Sequence, residues 1–252
     1  MYISDSELKV LREYRAKPRL ADALLRAAVA IILRDTDHGT EFLLMQRAKH
    51  DADPWSGQMS FPGGKIEDTD ADAKAAAIRE AKEEVGAQLE ESDYIGQLDD
   101  LYGLKVDGVF SVHVSSFIFK PKHELVLSAN HEVADMVWLP ISYLADVVHA
   151  HDYKHPSDPA LSMPAVLISQ EKEQVLWGLS LRMLAILYDV LDKPLTVLNE
   201  QQQQELRAIE SRELSPKSVQ DSMARRVENS DREKLDSITK KLIERSKKDG
   251  CD

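Results

Sequence analysis

The sequence predicts an α+β protein, a mixed α/β sandwich carrying a charged helical extension at its C-terminal end. Three observations predict this class. Strand-like and helix-like segments follow one another without the regular rhythm of repeated βαβ units. Two apolar runs, Ala27–Leu33 and Glu41–Met45, flank Asp35-Thr36-Asp37-His38-Gly39, which has the composition of a hairpin turn. After Pro194 the composition shifts to a short glutamine run, Gln201–Gln204, and then to alternating charges with sparse aliphatic residues.

Taken in order, Ser4–Lys17 reads as a short helix with Leu8, Leu11 and Tyr14 toward one side, closed by Pro18. The hairpin strands follow, and then a loop rich in Asp, Pro, Ser and Gly over residues 49–64. Asp72–Val85 is dense in strong helix formers, and Gly86 is placed to be its C-cap. Val109–Phe119 and Glu132–Leu139 read as strands, and Pro140 opens a short helix reaching Val148. Gln174–Leu191 carries aliphatic residues at helical contact spacings and is expected to be one buried helix. Phe110, Trp138 and Trp177 are expected in the core. His149, His151 and His155 lie on an expected loop, where Tyr153 or His151 is a candidate substrate contact. The boundaries that result are an N-terminal helical segment (1–25), a main α+β domain (26–195) and a charged helical extension (196–252). In the extension Val227, Leu235, Ile238, Leu242 and Ile243 form a narrow stripe suited to folding back or to self-association.

Composition narrows the function classes. The 252 residues are 43% hydrophobic and 30% charged, which excludes wholesale disorder, and the single Cys251 excludes a disulfide scaffold. The longest apolar runs fall far short of the roughly 20 residues that cross a bilayer, and residues 1–17 form no signal-like apolar segment, so a cytoplasmic protein without membrane contact is expected. Residues 200–252 are balanced, with 12 acidic and 12 basic side chains; the net charge of -12 therefore belongs to the body, with 32 acidic against 20 basic groups. That field opposes broad contact with a nucleic-acid backbone. It permits a small phosphorylated ligand, because carboxylates gathered in one cleft attract the divalent cations that hold phosphate oxygens.

The chemistry concentrates in FPGGKIEDTDADAKAAAIREAKEEVG, residues 61–86. Glu80, Glu83 and Glu84 stand at i, i+3 and i+4, which brings three carboxylates onto adjacent turns of one helix. Like charges at that spacing repel, so either solvent with Arg79 and Lys82 tolerates them or a cation compensates them. Oxygen ligands alone suit a hard ion such as Mg²⁺ or Mn²⁺. Gly63-Gly64 lets the backbone approach a ligand closely. Glu67, Asp68 and Asp70 lie between the glycines and Arg79, where they could reach the same cation or cap the helix. Trp55 suits either stacking on a base or anchoring the loop.

This segment resembles the signature of the Nudix hydrolases, G-x5-E-x7-R-E-U-x-E-E-x-G-U. Gly64 matches its opening glycine, and Arg79-Glu80, Glu83-Glu84 and Gly86 match its closing half. Asp70 occupies the first glutamate position, with eight residues rather than seven between it and Arg79, and Ala81 and Ala87 replace the bulky aliphatic residues. The longer loop with Asp, together with Gly57-Gln58-Met59-Ser60-Phe61-Pro62-Gly63-Gly64 and Leu43-Leu44-x-x-Arg47-Ala48, is similar to the branch of coenzyme A pyrophosphatases. Asp53 stands where that branch has a basic residue. The likeness extends more weakly through His131-Glu132-Val133, Trp138-Leu139-Pro140 and Leu176-Trp177-Gly178-Leu179.

The resemblance implies an α/β/α sandwich and Mg²⁺-dependent (or Mn²⁺-dependent) hydrolysis of a nucleoside diphosphate linked to another group. It makes Glu80 and Glu84 metal ligands, with Glu83 a third ligand or the partner of Arg79, and lets Gly64 or Gly63 lend a carbonyl. Arg79 would orient a carboxylate. Arg47, Trp55, Gly63 and Gly64 are the substrate-binding candidates. The general base is a signature glutamate or a distant acid, Glu132 being the preferred distant one. Coenzyme A-like compounds lead the substrates, ahead of ADP-ribose, dinucleotides and oxidised nucleoside triphosphates; a non-catalytic nucleotide sensor is the alternative. The family often pairs, which makes a homodimer an open expectation.

Overall fold

A computed structural model describes residues 1–17, 23, 25–50, 55–103, 105–106, 109–110, 112–155, 158–200 and 202–204. Asp53 and the charged extension beyond residue 204 lie outside the described residues.

Helix α1 (Asp5–Glu13) starts in a capping box formed by Ser4 and Glu7. It stops a turn short of the expected end. Tyr14 leaves the helix because its hydroxyl donates to Asp99 Oδ1 at 2.8 Å, and the Lys17 N–H donates to the same oxygen at 2.8 Å. Strands β1 (Arg26–Thr36) and β2 (Gly39–Arg47) form the expected hairpin. The chain continues through β3 (Met59–Ser60), β4 (Gly63–Lys65) and α2 (Ala73–Val85), then β5 (Tyr94–Gln97), β6 (Leu101–Tyr102), β7 (Lys105–Val106), β8 (Val109–Phe110) and β9 (His113–Phe119). Next are β10 (Val133–Pro140), β11 (Ala150–His155), β12 (Asp158–Ser169), β13 (Gln174–Trp177) and α3 (Gly178–Val190).

The central eight-stranded sheet has the path β10-β2-β1-β9-β5, with β3 beside β2, β4 beside β1 and β6 beside β9. It is mixed: β1 runs parallel to β9 and antiparallel to β2 and β4. Side chains alternate across β1, so Ala28, Ala30 and Ile32 face one apolar cluster while Ile31 and Leu33 face the other. Helix α2 closes the first cluster with Ala76, Ala77, Ala81 and Val85; its small residues let it sit close to the sheet. The second cluster is closed by Leu181, Leu184, Leu187 and Tyr188 of α3 together with Leu8 and Leu11 of α1. The result is the layered α/β/α arrangement that the resemblance implies.

Five expectations are corrected. The stretch Val109–Phe119 is two strands, because β8 pairs with β7 in a separate ribbon while β9 pairs with β1. Gln174–Trp177 is strand rather than helix: its burial alternates residue by residue, β12 supplies a pairing edge, and the helix begins only at Gly178, whose φ is 62°. Ala150–His155 is strand β11 rather than loop, and β11-β12-β13 form a second sheet. The short helix after Pro140 is a pair of 3-10 turns, Ile141–Ala145 and Val147–His149. Trp138 and Trp177 are half-buried rather than core: Arg34 lies 4.0 Å over the Trp138 ring, and Trp177 stacks on Tyr153 at 4.2 Å. His149 stacks instead on Tyr143.

Candidate active site

Helix α2 is placed at both ends by local chemistry. The Asp72 side chain accepts the Ala75 N–H at 2.8 Å, and Gly86 ends the helix in a left-handed conformation. The 13 residues between them bring Glu80 and Glu84 against strand β4, where Gly63 and Gly64 pair with Val29 and Ala28. At both glycines the space of a Cβ is already taken. A Cβ on Gly64 would lie 2.6 Å from the Glu80 carboxylate, and one on Gly63 would lie 2.3 Å from the Ala28 carbonyl oxygen.

Glu84 is 2% exposed. One of its oxygens accepts the Gly63 N–H at 2.8 Å; the other has Arg47 Nη1 at 3.7 Å. A like-charge pair on a helix surface costs only about 0.2–0.5 kcal/mol, whereas desolvating a carboxylate costs several kcal/mol. Burial therefore dominates here. It pushes the Glu84 carboxyl up to about 8, opposed by Gly63 and Arg47 and reinforced by the charges of Glu80 and Glu132. Burial likewise raises half-buried Glu80, against the pull of Arg79, with Glu83 and Glu132 adding to the rise.

Arg79 occupies the other side of the acids. Its Nε and Nη2 donate to the two Asp70 oxygens at 2.9 and 3.0 Å, Nη2 also donates to the Lys65 carbonyl at 3.0 Å, and Nη1 donates to Glu80 at 2.9 Å and Glu83 at 3.1 Å. Glu83, with its side chain 55% exposed, is thus turned to Arg79. The three signature acids do not converge as a triad. Among the described residues no group of three or more His, Cys, Asp or Glu side chains is gathered closely enough to hold a metal ion. What gathers is a pair, Glu80 and Glu84, whose charges oppose each other and are opposed by Glu132 from the loop before β10.

That pair fits a divalent cation. Two desolvated carboxylates face a glycine strand and repel one another, with Arg79 set against Glu80 and Arg47, at 3.7 Å, against Glu84. An oxygen-ligated cation answers such a surplus of negative charge. Glu132 is held at the rim, its carbonyl accepting the Ala48 N–H at 2.7 Å and its N–H donating to Asn130 Oδ1 at 2.8 Å. Trp55 is half-buried against the second apolar cluster, as a loop anchor would be.

A family model described as the NUDIX domain matches residues 24–160. The chain belongs to the Nudix hydrolase family. The uncharacterized Nudix hydrolase NudL of Escherichia coli (strain K12) is 33% identical over 161 residues, 62% of this chain and 77% of that protein. NudL of Pectobacterium atrosepticum is 28% identical over 168 residues, 65% of this chain and 82% of that one. Among solved structures, a MutT/nudix family protein from Enterococcus faecalis matches with a TM-score of 0.46 at 17% identity, over 81% of this chain and 74% of that chain. Nudix membership places the chain among pyrophosphatase-type hydrolases, which generally use a divalent metal such as Mg²⁺. No described helix is long and apolar enough to cross a membrane.

Sequence reasoning found the Nudix acids and glycines through their spacing. It missed Asp70 as the main partner of Arg79 and the side chains that fix the loop ahead of the glycines, Gln46 and Gln174. Neither glutamine carries a sequence signal, because each is defined by contacts made far along the chain.

Proposed function

We propose that this Nudix protein hydrolyses the pyrophosphate bond of a nucleoside diphosphate linked to another group, with coenzyme A and its derivatives the first candidates. The observation that carries this reading is Glu84: a carboxylate withdrawn from water, tethered to the Gly63 N–H, and crowded by two further acids. Glu80 and Glu84 would hold Mg²⁺ or Mn²⁺, with a Gly64 or Gly63 carbonyl beside them. When bound, the cation neutralises phosphate oxygens and makes a water a better nucleophile at neutral pH. The rest falls to the chain. Arg79 fixes Glu80 and Glu83 against Asp70; Arg47, poised beside Glu84, is the group to meet an anionic phosphate; Glu132 at the rim takes the proton from the attacking water.

The preference for coenzyme A-like compounds over ADP-ribose, dinucleotides or oxidised nucleoside triphosphates comes from the motif at Gly57–Gly64 and the Arg47 segment. The surplus of acids in residues 1–199 favours a small-molecule partner over a nucleic acid. The test is a panel of these diphosphates with Mg²⁺ or Mn²⁺, with the products identified by mass to find which bond breaks. Release of the two phosphate-bearing halves from either side of the pyrophosphate bond, a nucleoside 5′-phosphate (with its 3′-phosphate retained for coenzyme A) and the complementary phosphate, is expected from at least one compound. Tight binding without turnover of any compound would overturn the reading in favour of a nucleotide sensor.

A further inference from the structure

The loop that delivers Gly63 to Glu84 is tied by backbone at its end, where the Ala30 N–H donates to the Pro62 carbonyl at 2.8 Å and Gly63 pairs with Val29, and near its start, where the Arg47 N–H donates to the Gln58 carbonyl at 3.0 Å. Strand β3 is two residues long and meets β2 at two positions, Met45↔Ser60 and Gln46↔Met59. Ahead of it Gly57 stands in a left-handed turn, with φ 73°. A side chain adds a further tie at the start of the loop. Gln46 Nε2 donates to the Gly57 carbonyl and to the Lys172 carbonyl, both at 3.3 Å.

Lys172 lies on the turn between β12 and β13, so the amide joins the glycine loop to the tip of the second sheet. The remaining bonds close a ring. Gln174 Nε2 donates to Gln46 Oε1 at 3.3 Å and to Asp135 Oδ2 at 2.8 Å, and Lys172 Nζ donates to that same Asp135 oxygen at 2.7 Å. Gln46 is 8% and Gln174 1% exposed. Buried amides are costly unless bonded, and a ring in which each member supports the next holds its shape as a unit.

From this geometry we infer that Gln46, locked by Gln174, is a positioning residue for the cation site. It sets the start of the Gly57–Gly64 loop, and with it the Gly63 N–H that orients Glu84. The tip of the β12–β13 hairpin thereby becomes part of the machinery of the site although it touches no reacting atom. This inference rests on the metal-binding reading above.

The test uses the full chain and reads Mn²⁺ binding directly, by electron paramagnetic resonance or calorimetry, in the wild type, Gln46→Met, Gln174→Met and the double variant. Circular dichroism and thermal unfolding accompany each. The ring predicts folded single variants whose Mn²⁺ dissociation constant rises about tenfold, the scale for loss of a residue that orients a ligand. The double variant should be no worse than the weaker-binding single variant, since both act through one network. Wild-type affinity in folded Gln46→Met and Gln174→Met, or strictly additive losses, would overturn the inference. If Gln46→Met fails to fold, Gln174→Met alone decides, because its side chain reaches the loop only through Gln46. Absence of Mn²⁺ binding in the wild type would instead sink the metal-binding reading itself.

Discussion

Arg79 grips Asp70 with both edges of its guanidinium, Nε to Oδ1 at 2.9 Å and Nη2 to Oδ2 at 3.0 Å. The position that departs from the family signature is thus the one that holds the signature arginine. With its side chain 5% exposed, Asp70 makes a charge-assisted pair that surface screening scarcely weakens. Asp70→Asn should cost about 1–3 kcal/mol at neutral pH, a fall in Tm of several degrees for a domain of this size.

The pH dependence of that loss has a definite sign. The Arg79 bond holds the Asp70 carboxyl below its usual range, with burial opposing it. As pH falls, the unfolded chain takes up this proton before the folded one does. The contribution is therefore complete above the ordinary carboxylate range and disappears as pH falls through the lowered value. Chemical denaturation of wild type and Asp70→Asn should give a gap in stability at pH 7 that closes in strongly acid solution. A gap of constant size would show that Asp70 acts through packing alone.

The two glycines of β4 should fail in different ways. On Gly64 an added methyl meets only the end of a flexible side chain, the Glu80 carboxylate at 2.6 Å. On Gly63 it meets backbone, the Ala28 carbonyl at 2.3 Å and the Val29 Cα at 2.6 Å, in a conformation with φ 155°. Gly64→Ala is expected to fold with a nearly wild-type Tm and to lose metal affinity as Glu80 is pushed aside. Gly63→Ala is expected to lower Tm by parting β4 from β1. Thermal scans with and without Mn²⁺ separate the two cases.

What was legible in the sequence was what is decided locally. Helix α2 and its Gly86 stop depend on residues within a turn of one another, as does the β1–β2 hairpin, whereas the cap proves to be Asp72 and not Glu67, Asp68 or Asp70. The adjacency of Arg79, Glu80, Glu83 and Glu84 follows from helical spacing in the same way. Strand β13 was not legible, because Gln174–Trp177 has an apolar spacing that suits either period and only pairing with β12 decides between them. The same holds for the site. Arg47 and Glu132 were singled out only through the family resemblance, and Gln174 bonded to Gln46 not at all, because these are tertiary meetings between residues far apart in the chain.

Glu84→Gln separates the charge of this residue from its shape. The amide oxygen can still accept the Gly63 N–H, and a neutral group no longer suffers from burial. The metal-free variant is expected to be at least as stable as the wild type. Mg²⁺ at a hundred times its dissociation constant should stabilise the wild type by about 2.7 kcal/mol and leave the variant unmoved. Turnover of the substrate identified by the panel should fall by about 10²-fold or more. Calorimetric scans with Mg²⁺ and with a chelator check the first part. A metal-induced rise in Tm that survives in Glu84→Gln would remove this residue from the ligand set.

Glu132 offers the complementary separation, of proton transfer from metal binding. It is half-exposed, its backbone is pinned by Ala48 and Asn130, and its carboxylate contributes to the field felt by Glu80 and Glu84. Glu132→Gln should leave Tm within about 1 °C of wild type, since substitutions at exposed positions of this kind rarely exceed about 0.5 kcal/mol. Removing a base from the attacking water should lower kcat by about 10²–10⁴-fold. Mn²⁺ affinity should stay near the wild-type value or weaken only slightly, because one flanking charge is lost and no ligand. A variant with weak Mn²⁺ binding and a proportionate loss of turnover, restored by excess metal, would make Glu132 a ligand instead of the base.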